Sequence, residues 1–313
     1  MQQATDILRR IIDNVEQVIV GKRHTVELAL TAVISGGHIL VEDVPGVGKT
    51  SLVSAFARSI DCSFKRIQFT PDVMPSDITG FSMYNPKLLD FEYKPGAVLH
   101  QFVQADEINR TSSKTQAALL EVMEERQVTV DGKTYLAPTP FIVFATQNPQ
   151  ESVGTYQLPE SQLDRFFMCI TLGYPSPAEE ASILLRQKDD RPDKHLKAVT
   201  TAKELLRIQQ LVSSVYVSDE LAAYIVSLTG ATRTHTDVSL GASPRASLHL
   251  CRAARAWALY QGRNYVIPDD VQRMLPSVLS HRLSLRRNAR LKGVTPKAVL
   301  TQIIGTVPVP VSL

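Results

Sequence analysis

Residues 41–53, VEDVPGVGKTSLV, come within one glycine of a phosphate-binding loop. The pattern Gly-x-x-x-x-Gly-Lys-Ser/Thr asks for glycine five positions before Gly48, and Asp43 stands there. The flanking sequence decides the reading. HILVE (38–42) is an apolar strand and KTSLVSAFARSI (49–60) a helix, so the stretch joins a strand end to a helix N-terminus. Unpaired backbone N–H groups and the helix dipole make such a junction favourable for an anion. Asp43, Val44, Pro45, Gly46, Val47, Gly48, Lys49, Thr50 and Ser51 form the expected nucleotide cradle. Gly46 and Gly48 permit positive φ and close backbone approach. Lys49 is expected to neutralise the terminal phosphates, and the Thr50 hydroxyl to hold Mg²⁺. A carboxylate facing those phosphates would repel them, so Asp43 is expected to point away.

Working outward, short apolar runs alternate with helical stretches from residue 38 to 172: HILVE, FKRIQF (64–69), FVQAD (102–106), FIVFAT (141–146) and FFMCITL (166–172). That alternation predicts an α/β domain with a mostly parallel sheet. Residues 5–19 read as a helix with Ile7, Leu8, Ile11, Ile12 and Val15 on one side. After Pro175 the strands are expected to stop. Ser176, Pro177 and Glu179 spell a capping box, and helical periodicity continues to the end. The expected division is 1–175 for the α/β core and 176–313 for an all-α domain. Two inserts break the pattern. Residues 71–98 are too long for an ordinary connection, and QVTVDGKTYL (127–136) is a hairpin turning at Asp131-Gly132.

The strand ends hold the remaining chemistry, since open α/β sheets bind ligands at the carboxyl ends of their strands. In FVQADEIN, Asp106 is placed to bind Mg²⁺ and Glu107 to polarise an attacking water. Adjacent acids are common at strand ends; their place in the same sheet as the loop gives them weight. In FIVFATQNP, Asn148 could hydrogen-bond a γ-phosphate and the water, and a plain Asn-Pro turn is the alternative. Arg165, before the last strand, is remote from its own phosphate and could serve a neighbouring subunit; the alternative is a surface pair with Asp164. In GASPRASL, Ser243 caps a helix and Arg245 lies in its first turn, where a cation opposes the dipole unless an anion compensates.

Bulk properties exclude other classes. Of 313 residues, 44% are hydrophobic and 21% charged, an ordinary globular balance, and a net charge of +3 does not by itself imply nucleic acid. Cys62, Cys169 and Cys251 form no CxxC pair, and His24, His235 and His281 are scattered, so no zinc or disulfide framework is expected. No apolar run approaches the ~20 residues of a membrane span, and the N-terminus is unlike a secretory signal, so a cytoplasmic protein is expected. Trp257 reads as core of the helical domain. The basic run HRLSLRRNARLKG (281–293) reads as a solvated face without aromatic interleaving for bases.

VEDVPGVGKT, FTPDVMPSDITG, ADEINR, KTQAALLEVMEERQVTVDG, FATQNP, LPESQLDRF and GASPRA together resemble the MoxR family of AAA+ ATPases, over residues 15 to 280. The resemblance implies a three-layer αβα P-loop core with a parallel sheet, followed by a smaller all-α lid. It makes Lys49 and Thr50 the Walker A pair, Asp106 and Glu107 the Walker B acids, Asn148 sensor 1, Arg165 a trans-acting arginine finger and Arg245 sensor 2. Val20-Gly21-Lys22 takes the adenine side, 71–98 the helix-2 insert and 127–136 the pre-sensor-1 hairpin. ATP and Mg²⁺ are implied, as is a ring, usually a hexamer, that remodels protein clients, often with a von Willebrand factor A domain partner. A nucleotide-gated scaffold and a DNA-acting motor are the alternatives. Gln104 departs from the family, which usually has an apolar residue there; it is expected to loosen strand packing and to touch no catalytic group.

Overall fold

The computed structural model describes residues 1–148, 156–186 and 196–310. Helices α1 (Gln2–Val15) and α2 (Arg23–Ile34) precede β1 (Ile39–Glu42), α3 (Lys49–Ser59) and β2 (Phe64–Gln68). The first insert is a short α4 (Pro75–Thr79) and a hairpin of β3 (Gly80–Asn85) and β4 (Asp90–Pro95). After β5 (Phe102–Asp106) and α5 (Ser113–Glu125) comes a second hairpin, β6 (Gln127–Val130) and β7 (Lys133–Leu136). Its turn has φ of +50° at Asp131 and +76° at Gly132, as an Asp-Gly two-residue turn requires. β8 (Ile142–Gln147), α6 (Glu160–Leu163) and β9 (Met168–Ile170) complete the core.

The five expected strands form one parallel sheet in the order β2-β5-β8-β1-β9. β5 and β8 are covered on both faces, which is why they read as continuous apolar runs. Alternation along them feeds two cores. Ile39, Phe102 and Phe144 face α1 to α3, with Phe144 stacked between Phe56 and Phe102; Leu40, Val103 and Val143 face α5 and the inserts.

The chain continues through α7 (Pro177–Arg186), α8 (Ala202–Ser214), α9 (Asp219–Thr234), β10 (Val238–Leu240), α10 (Pro244–Tyr260), α11 (Pro268–Leu279), β11 (Ser284–Leu285), α12 (Arg287–Leu291) and α13 (Pro296–Thr306). The capping box forms: Ser176 N–H donates to Glu179 and Glu179 N–H to Ser176. This lid is helical, with one correction: strands do not stop at Pro175, because β10 and β11 pair as a short antiparallel ribbon. Three-residue and two-residue strands leave no period-2 signature to read. The lid packs on α1 and α2 and shares their apolar core, Trp257 included. The basic run is likewise not all solvated. Arg282 is buried and pairs with Asp164 at 2.8 Å, tying the lid to the core.

His38 fastens three core elements. It lies just ahead of β1 and is buried; its Nδ1 accepts from Val143 N–H, and its Nε2 donates to the Met123 carbonyl, each at 3.0 Å. Burial, aided by the nearby Arg126 guanidinium, pulls its pKa down to about 4. The unfolded chain binds a proton below pH about 6.5 where the folded chain does not. Stability contributed by the neutral ring is therefore complete above pH about 6.5 and falls with pH, by about 1.4 kcal/mol per unit, until pH about 4. Urea denaturation should show His38→Gln losing about 2 kcal/mol less than wild type between pH 7 and pH 5. Equal losses would contradict this account of the ring.

Candidate active site

The loop after β1 reaches α3 through Gly46 at φ +85° and Gly48 at φ +92°, conformations that a side chain would strain. Gly48 caps α3 without a side-chain hydrogen bond, which leaves the first N–H groups of the helix open to a ligand. Asp43 does point away, as expected. It is buried, and its Oδ2 accepts from the N–H groups of Leu172 (2.6 Å) and Gly173 (2.8 Å) beyond β9. The residue that departs from the loop pattern thus clamps the loop to the next strand. Lys49 Nζ donates to the Asp43 carbonyl at 3.0 Å.

Lys49, Thr50, Asp106 and Glu107 line one cavity of about 360 Å³, together with Pro45, Gly46, Gly48 and Ser51. A second cavity of about 240 Å³ shares Gly46, Gly48 and Ser51 with it. Its remaining wall is mostly apolar, with Val18, Ile19, Val20, Val47, Pro175 and Ile183. One charged and one apolar compartment meeting at a glycine loop match the two ends of a nucleotide. Gly21 does not line the wall. It adjoins it at φ +73°, so close to Glu179 that a Cβ would collide with that carboxylate.

Around the acids the structure adds residues that sequence reasoning missed. Arg66 binds Asp106 Oδ2 through its Nε (3.1 Å) and terminal nitrogen (2.6 Å), and the Thr146 hydroxyl donates to Asp106 Oδ1 at 2.5 Å. Glu107 sits at φ +56°, ψ +50°, costly for a side chain and typical of functional sites. Its N–H donates to Thr146 Oγ1, and its Oε2 accepts from Gln68 Nε2 at 2.9 Å and pairs with Arg110 at 3.3 Å. The available signal was FKRIQF: Arg66 and Gln68 are two residues apart on an edge strand, hence on one face. Asn148 is buried one residue beyond β8 and is not among the residues lining the cavity; Pro149 lies outside the described residues. Thr50 and Asp106 offer hard oxygen donors beside the phosphate loop, a set that suits Mg²⁺, which takes one or two protein ligands and completes its shell with phosphate and water. A direct bond to Asp106 Oδ2 requires Arg66 to withdraw.

Gln104 is a correction. It is fully buried in β5, and its Nε2 donates to Thr50 Oγ1 at 2.9 Å, so it does touch the hydroxyl that was expected to hold the metal. Length explains this: an unbranched amide crosses from the strand to α3, a contact no periodicity reveals.

Arg165 and Arg245 are brought together, but elsewhere. They line a cavity of about 200 Å³ with Gly36, Gly37 and His38, at the amino end of β1, whereas Lys49 follows its carboxyl end. Four residues of strand separate the two ends by about 13 Å. Arg165 is not paired with Asp164, which is taken by Ser243 and Arg282. Both arginines share Glu124 at the end of α5, Arg165 at 3.1 Å and Arg245 at 2.7 Å. Glu124 is the anion that offsets Arg245 at its helix N-terminus.

Comparison with known proteins agrees with this architecture. Residues 38–168 match the family model for the ATPase family associated with various cellular activities (AAA), and residues 230–303 that for the AAA lid domain. The chain is 49% identical over 305 residues to the uncharacterized protein YeaC of Bacillus subtilis, covering 97% of this chain and 95% of that one. It is 44% identical over 312 residues to chaperone MoxR1 of Mycobacterium tuberculosis, covering 97% and 82%. A crystal structure of a candidate ATPase from Cytophaga hutchinsonii superposes with a TM-score of 0.92 at 37% identity, covering 99% of this chain and 96% of that one. Similar along nearly its whole length to these proteins, the chain belongs to the MoxR family of AAA+ ATPases.

Proposed function

We propose that the chain hydrolyses ATP at a site completed by a second copy of itself and uses the energy to remodel protein clients in the cytoplasm. The observation that carries this reading is the convergence of Lys49, Thr50, Asp106 and Glu107 on one cavity. The N–H groups of the loop and of α3 bind the phosphates, and the apolar compartment at Val18 to Val20 takes the base. Lys49 leaves the Asp43 carbonyl for the terminal phosphates. Mg²⁺, when bound at Thr50 and Asp106, supplies neutralisation of the developing phosphate charge. Glu107 leaves Gln68 and takes a proton from the attacking water. Asn148 orients that water.

Arg165 and Arg245 face away from their own cavity, which supports a closed ring, a hexamer in our reading, in which each copy presents both arginines to its neighbour's phosphate. We assign residues 1–175 to the core and 176–313 to the lid.

Remodelling is supported by the inserts. The tip of the first bares Leu88, Leu89 and Phe91, each about two-thirds or more exposed (67%, 78% and 66%), a surface suited to apolar segments of a client or a von Willebrand factor A domain partner. The inserts also touch. Tyr93 of β4 stacks on Tyr135 of β7, ring centroids 3.9 Å apart and 15° from parallel. The first insert leads into β5, which ends at Asp106 just before Glu107, and the second into β8, which ends one residue before Asn148. Movement at either strand end thus reaches both hairpins. Tyr135→Ala should leave ring assembly and basal ATPase within about twofold of wild type while client activation falls about fivefold, because one stacked pair is worth ~1 kcal/mol. Loss of assembly would make the hairpin a structural element and end this account of coupling.

A further inference from the structure

Phe102, Gln104 and Asp106 alternate onto the face of β5 that lies under α3. Gln104, in register with Phe144 of β8, is fully buried there. Its Nε2 donates to Thr50 Oγ1 at 2.9 Å, and its Oε1 has no hydrogen-bond partner among the described residues. An amide with four hydrogen-bonding positions that fills so few is held by the bond it makes, because little competes for its N–H.

The Thr50 hydroxyl has one proton and two lone pairs. An N–H dipole aimed at one lone pair turns its positive end toward the oxygen that a divalent cation must also approach. We propose that Gln104 is a positioning residue that competes with the metal for Thr50 and so sets how much Mg²⁺ the nucleotide site requires. This rests on the reading of Thr50 as a metal ligand. An apolar residue at 104 would leave both lone pairs open to the cavity; glutamine withdraws one. Asp106 is engaged in the same sense by Arg66, but that side chain is about half exposed (48%) and can swing into water. Gln104, enclosed between the sheet and α3, cannot. The competition at Thr50 is therefore built into the core.

The test titrates free Mg²⁺ against binding of a fluorescent ATP analogue to the full chain, wild type beside Gln104→Met and Gln104→Leu. Methionine keeps the length without the amide; leucine is a second apolar replacement should methionine fold poorly. Both variants should match wild-type nucleotide affinity in EDTA, and both should need about two- to tenfold less free Mg²⁺ for half-maximal tightening, the range of one net hydrogen bond. Thermal midpoints without nucleotide report the structural effect separately, and removing a buried unpaired oxygen should leave them equal or higher. An unchanged or raised Mg²⁺ requirement in the folded variants overturns the proposal whatever the midpoints do. If wild type itself shows no response to Mg²⁺, the metal reading of Thr50 fails and the proposal falls with it. A response that wild type and variants share leaves that reading standing and overturns the proposal alone.

Discussion

Glu107→Gln is expected to hold ATP as tightly as wild type and to turn it over about 10²- to 10⁴-fold more slowly, the usual contribution of a positioned general base. The roles separate because, in the proposed mechanism, the loop N–H groups, Lys49, Thr50 and Asp106 bind independently of this carboxylate. An amide of the same shape preserves the left-handed backbone at 107 and still faces Gln68, but it cannot accept a proton from water. Phosphate release under single-turnover conditions, beside nucleotide binding, checks both halves. Near-normal turnover would place the base elsewhere, and weakened binding would give Glu107 a structural part instead.

Arg165→Ala should lower turnover by about 10³-fold or more with ATP still bound, since a cation aimed at the γ-phosphate acts mainly in the transition state. Geometry decides whose phosphate that is. Arg165 sits at the amino edge of the sheet, Lys49 beyond the carboxyl edge, and the length of β1 lies between them. In the free protomer Glu124 holds the guanidinium at 3.1 Å and Arg245 at 2.7 Å, so both must leave that carboxylate to serve a neighbour. A rate loss of only a fewfold, measured at saturating ATP, would remove Arg165 from the reaction.

The sheet was legible because each buried strand is an apolar run flanked by turn residues, and the loop because Gly46, Gly48 and Lys49 sit between a strand and a helix. Asp43 was legible from charge alone: a carboxylate at a phosphate loop has to turn away, though sequence could not name Leu172 and Gly173 as its partners. What escaped was decided by contacts distant in the chain. Glu124 meets Arg165 and Arg245 only after α5, β9 and α10 converge. Arg282, inside a run that looks solvated, is buried against Asp164 because the lid folds back on the core. Gln104 read as a packing defect because its partner, Thr50, is 54 residues away on another element. Long polar side chains in a strand hide their partners in this way, whereas apolar ones announce a core by pattern.

The central claim, one site shared by two copies, is tested most directly by mixing two inactive variants. Lys49→Ala lacks the loop lysine but keeps Arg165; Arg165→Ala keeps the loop but lacks the guanidinium. In mixed rings some interfaces pair an intact loop with an intact Arg165, so ATPase activity absent from either variant alone should appear on mixing and peak at intermediate ratios. Activity that stays flat at every ratio, with mixed assemblies demonstrated in the same samples, would put Arg165 in its own subunit's site or outside the chemistry and contradict the account.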